Sequence, residues 1–158
     1  MSLAQKGRDR TSEDHSASAL YDRDFHAWAM EQAALIRRLA PEGLDVENVA
    51  EELETLGRSE RREICNRTGI LLVHLLKARY QPEQRKGGWD ATIRIQRLEL
   101  KKLVAENPSL RSAPISALVS EYETARLKTH AETGLHLDLF PQECPFTADQ
   151  VLDDTFFG

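Results

Sequence analysis

Behind Asp45, the residues Val46, Val49, Ala50, Leu53 and Leu56 fall at helical steps. Placing residues about 100° apart keeps Ile64, Leu71 and Leu75 on the face of Val49 and Leu53. That register predicts one long helix over 46–80, with Gly57 as the place where it could bend. From Ile70 to Leu76 (ILLVHLL) this helix is apolar nearly all round. A segment of that kind is covered by neighbours on several sides, so it is the expected centre of the core.

The rest of the chain fits around it. No run of β-branched residues alternates with polar ones, so the expected class is all-α. A first helix is expected over Asp22–Leu39. Its apolar face carries Tyr21, Phe25, Trp28, Gln32, Leu35, Ile36 and Leu39, and it is broken by Pro41 and Gly43. After a loop over 81–88, a third helix is expected over Trp89–Glu106. Its buried face is Trp89, Ile93, Leu100, Leu103 and Val104, and Asn107-Pro108 ends it. A fourth is expected over Ala113–Thr133, with Ile115, Leu118, Val119, Tyr122 and Ala125 inward and Gly134 closing it. Residues 135–158 read as an extended C-terminal strap with a short helix at Thr147–Leu152. The expected architecture is therefore an all-α bundle of four main helices. Residues 1–17 read as a disordered arm and 18–158 as one domain.

Composition narrows the class without naming an activity. Hydrophobic residues make up 41% and charged residues 30%, which predicts a packed globule rather than a disordered, collagen-like or disulfide-framed chain. The net charge of −5 conceals a pattern: −6 over residues 1–57, +7 over 58–102 and −6 over 103–158. The longest apolar stretch, Gly69 to Leu76, is far short of the ~18 residues of a membrane span. The first residues hold no apolar export segment. Cys65 and Cys144 fit no metal or redox motif, so two reduced thiols in the cytosol are expected.

Several strings carry a resemblance. They are YDRDFHAWAMEQA from Tyr21, LDVENVAEELETLGRSERR from Leu44, LLVHLLKARYQPEQR from Leu71, and GGWDATIRIQR from Gly87. NPSLR from Asn107 and AETGLHLDLFPQECPFT from Ala131 continue it. Over about Tyr21 to Leu152 the chain resembles the bacterial family catalogued as domain of unknown function 29. The resemblance implies an all-helical fold. It implies no activity and carries over no catalytic residue.

Candidate chemistry comes from the residues themselves. Glu47, Glu51 and Glu54 share one helix face, which reads as a solvated surface because the Glu-x-x-His partners of a helical di-metal site are missing. Glu60, Arg67 and His74 are spaced by seven at the edge of the apolar face and form a candidate buried polar site. His74 is expected to be buried and to pair with a polar group from another segment, an arrangement open to acid–base chemistry. His130, Glu132 and His136 straddle the end of the fourth helix without a metal-ligand spacing. Neither cysteine has a local activating group. No phosphate-cradling loop or Gly-x-Ser-x-Gly motif is present, so no metal, cofactor or catalytic set is assigned. Arg94, Arg97 and Lys101 form one stripe on the third helix, a candidate basic surface for an acidic protein or for phosphates. The acidic ends could instead fold back and neutralise it. These readings predict a non-enzymatic protein-interaction module in a bacterial cytosol, its oligomeric state open. Nucleic-acid association through residues 58–102 is the alternative, and an enzyme acting around His74 the second.

Overall fold

In a computed structural model, residues 10–158 are described. They form six α-helices: α1 (Arg10–Arg23), α2 (Phe25–Leu39), α3 (Val46–Tyr80), α4 (Gly87–Glu106), α5 (Ala113–Thr133) and α6 (Ala148–Leu152). Among the described residues there is no strand. The fold is all-α, with α3 running through its middle against α2, α4 and α5 in turn.

α3 is one continuous helix of 35 residues, ~50 Å long. Asp45 caps it, its carboxylate accepting from the Asn48 backbone N–H at 3.4 Å. Gly57 does not break it, and the residue is buried. A β-carbon there would stand 3.1 Å from the Ala29 Cβ and 3.2 Å from the Met30 Cε. The glycine therefore serves close approach of α2 rather than a bend.

The first helix needs correction. Its expected span, Asp22–Leu39, divides at Asp24, where the backbone turns out of the helix (φ −158, ψ 86) and the side chain caps α2. Residues 1–9 of the expected arm lie outside the described residues, and the remainder belongs to α1. The inner face of α2 is also displaced. Ala29 and Ala33 are its fully buried residues, while Leu39 is exposed. α5 has the expected bounds, with Gly134 left-handed at its C-terminus (φ 71). Its inner face nevertheless differs: Ala117, Leu118, Tyr122 and Ala125 are buried, whereas Ile115 and Val119 point outward.

The core lies around the C-terminal half of α3. Ile64, Leu71, Leu72, Leu75 and Leu76 meet Ile93 and Leu100 of α4 and Leu118 and Tyr122 of α5. Phe140, Phe146 and Val151 close it from the strap. The strap is fixed by polar contacts as well. The Tyr122 hydroxyl donates to the Pro141 carbonyl at 2.7 Å and the Arg126 Nε to that of Phe140 at 3.2 Å. Thr147 caps α6 in a reciprocal capping box with Gln150. By contrast, the N-terminal half of α3 has α2 as its main neighbour.

Candidate functional site

Glu60, Arg67 and His74 do not form a site together: among the described residues no hydrogen bond or ion pair joins any two of them. His74 is half-buried, not enclosed, and its Nδ1 meets the Ile70 carbonyl of its own helix at 3.0 Å. The expected partner from another segment is thus replaced by a carbonyl one turn back. Among the described residues no side chain is bonded to the His74 ring, so no acid–base pair is assembled there. Arg67 turns toward α4, donating to the Gln96 Oε1 at 3.2 Å, and its Nε lies 2.8 Å from Glu63. Glu60, half-buried at the edge of α3, enters no ion pair among the described residues.

The basic stripe is largely covered. Arg97, expected on a partner-facing surface, is 1% exposed. Its Nε donates to the Val151 carbonyl at 2.8 Å and its Nη2 to that of Gln150 at 3.2 Å. Lys101 pairs with Asp154 at 2.5 Å. The Arg94 guanidinium lies 5.0 Å from the centre of the Phe157 ring. Spacing alone placed these three on one face; the strap then folds across that face and takes up most of its charge. Burial lowers the pKa of Arg97, opposed by Asp154 and Asp153.

The remaining candidates separate. Glu47 and Glu51 are exposed on the solvated face expected, and Glu54 at its edge is half-buried; Glu47 and Glu54 both meet Arg37 of α2. The His130 Nδ1 meets the Leu135 carbonyl at 2.6 Å, Glu132 pairs with Lys77 at 2.9 Å, and His136 lies beside Asp138. Burial pushes both thiols up, Cys65 with help from Glu121, which leaves neither activated as a nucleophile.

Two arrangements escaped the sequence reading. The first is a buried polar junction at the start of α2. The Asp24 carboxylate accepts from the Ala27 N–H at 2.8 Å, the Ser109 N–H at 2.6 Å and the Ser109 hydroxyl at 2.9 Å. Burial alone would raise its pKa. These hydrogen bonds outweigh burial and hold it below the ordinary carboxylate value. Beside it the His26 N–H donates to the Asn107 Oδ1 at 2.9 Å, and the His26 Nδ1 meets the Gly57 carbonyl at 2.7 Å. Asp-x-x-Ala at a helix start was a readable cap signal; its bond to Ser109 was not.

The second is an apolar stripe on the outer side of α3. Val49, Leu53 and Leu56 line a shallow groove of about 370 Å³ whose other lining residues are Asp45, Asn48 and Glu52. Leu56 is 50% exposed. The carboxylates Glu47, Glu54 and Glu63 nearby are taken by arginines. Asp45, Glu52 and Glu60 enter no ion pair among the described residues. The sequence had identified these apolar residues as a helix face. It assigned them to the interior, whereas α2 packs on the alanine and glycine side instead.

The comparisons with known proteins agree with this fold and assign no activity. The family model described as "Domain of unknown function DUF29" matches residues 20–157. A solved structure from Rhodospirillum rubrum, an alpha-helical protein of unknown function, is similar at 25% sequence identity and a TM-score of 0.67. The match covers 86% of this chain and 90% of that one. No curated protein matches the chain.

Proposed function

From the premise that the chain belongs to the DUF29 family, we propose that it is a non-enzymatic protein-interaction module whose contact surface is the outer face of α3. The observation that carries this reading is the stripe Val49, Leu53 and Leu56, apolar, open and edged by the carboxylates of Asp45 and Glu52. Glu60 extends that acidic edge by one turn beyond Leu56. An amphipathic helix with an apolar face and basic flanks fits such a stripe by burial and by charge. A second copy of this chain fits less well, because the same carboxylates would face each other. The partner is thus basic, where the sequence had suggested an acidic one. Nucleic-acid association has less support, since Arg97 and Lys101 are engaged by the strap. We place this activity in a bacterial cytosol. The unbridged cysteines and the similar bacterial structure support that setting. Among the described residues no helix is long and apolar enough to cross a membrane.

The test uses a synthetic helical peptide with leucine on one face and lysine on its flanks, titrated into the full chain by fluorescence anisotropy. Saturable binding is expected that weakens as salt rises and falls at least about tenfold in Leu56→Lys. Leu56 is half-exposed, so a lysine there can carry its ammonium into solvent. Equal binding by Leu56→Lys, or no binding at low salt, would overturn the reading. So would sedimentation showing that the face is occupied by a second copy.

A further inference from the structure

Arg97 is the largest side chain fully buried in the described residues. Its hydrogen-bond partners are carbonyl oxygens, and its Nη1 has no partner among the described residues. A guanidinium removed from water without a carboxylate in direct contact is a costly arrangement. Of the two nearby acids, Asp154 is held by Lys101 and Asp153 accepts from the Thr155 N–H and hydroxyl.

Arg97 forms part of the wall of a cavity of about 330 Å³ between α4, the start of α5 and α6. That volume is within the range of small-molecule sites. The remaining walls divide into two kinds. Leu100, Val104, Ala105, Pro114 and Leu152 supply an apolar surface without an aromatic ring. Lys101 and Arg111 supply two further cations, and no carboxylate lines the cavity. Arg111 enters no ion pair among the described residues. Pro114 lies in the first turn of the 21-residue α5, where the helix dipole is positive.

We propose that this cavity binds an aliphatic monocarboxylate, with its carboxylate toward Arg97, Lys101 and Arg111 and its hydrocarbon tail against Leu100, Val104 and Leu152. Arg97 and Arg111 enter no ion pair among the described residues and select a negative head group, with Lys101 shared between that group and Asp154. The aliphatic walls select a tail with no ring to stack, and they disfavour a bare phosphate or a nucleotide.

The test titrates octanoate into the full chain while following the backbone amide signals of Ala105 and Arg111 by NMR. Saturable shifts at both positions are expected. Octan-1-ol, which has the tail without the charge, and inorganic phosphate, which has the charge without the tail, are expected to bind at least about tenfold more weakly. Arg111→Glu removes a cation from the mouth. Ala105→Trp fills the cavity from an exposed position and leaves the core untouched. Each should weaken octanoate at least about tenfold with an unchanged circular dichroism spectrum. Overturning outcomes are a lack of saturation at millimolar octanoate, equal binding of the alcohol or of phosphate, and retention of affinity by both variants.

Discussion

The two halves of α3 are packed by different means. Its C-terminal half sits among leucine, isoleucine and phenylalanine side chains from α4, α5 and the strap. Its N-terminal half meets α2 through Ala29, Ala33, Ala50 and Gly57. Small residues allow backbones to approach closely but remove little apolar surface from water, so this contact gains less from burial. Directional polar contacts add to it: His26 to Gly57 and Arg37 to Glu47 and Glu54 run between α2 and α3, while Asp24 to Ser109 and His26 to Asn107 tie the start of α2 to the α4–α5 connection. Large apolar side chains make a thick core that needs cover on every side. The small-residue pair makes a thin hairpin whose second face stays open, and that open face is where we place the interaction.

The contrast can be broken at four points. Leu72→Ala in the core should cost about 2–5 kcal/mol in urea unfolding; a smaller loss would mean the bundle is not the tighter half. Gly57→Val should cost about 1–3 kcal/mol, because the new side chain has to push α2 away. Hydrogen exchange should then quicken in α2 while Leu71–Leu76 stays protected. Uniform quickening would show that both halves unfold as one.

Asp24→Ala should cost about 1–2 kcal/mol through the lost cap and the unpaired Ser109 N–H. The Asp24 pKa is lower folded than unfolded. Its stabilisation is therefore complete above the ordinary carboxylate range and fades as pH falls through the folded value. The wild-type and Asp24→Ala urea midpoints should converge on acidification, and a constant gap would remove the carboxylate from the account. The smallest effect is a gain. Ala40 closes α2 in the left-handed region (φ 41, ψ 60), so Ala40→Gly should stabilise by about 0.5–1 kcal/mol. A destabilised variant would show that this end of the hairpin is set by something other than backbone strain.

Much of the fold was legible because local signals mark it. Asp45 opens α3, Gly134 ends α5 and Thr147 opens α6, each through bonds made within a few residues. The failures lie where distant parts of the chain decide. The aromatic spacing of Tyr21 and Phe25 runs through Asp24 without interruption, and Ser109, whose N–H and hydroxyl hold the Asp24 carboxylate where the helix breaks, lies 85 residues away. Ile115 and Val119 were read as inward because they are large and apolar. The neighbours of α5 instead sit over Ala117 and Ala125. Arg94, Arg97 and Lys101 all meet the strap, and periodicity cannot say what lies on top of a face. The same holds for Val49, Leu53 and Leu56: their period marks a face, and only the packing of α2 shows that it is left open.

The bond from Arg97 to Val151 spans 54 residues, which gives it a place in time as well as in space. Neighbouring helices form and pair quickly through local contacts, whereas contacts across a long loop close late. In the folded chain the Arg97 guanidinium holds the strap against α4, so the docking of the strap rests on a contact that no local helix signal can supply.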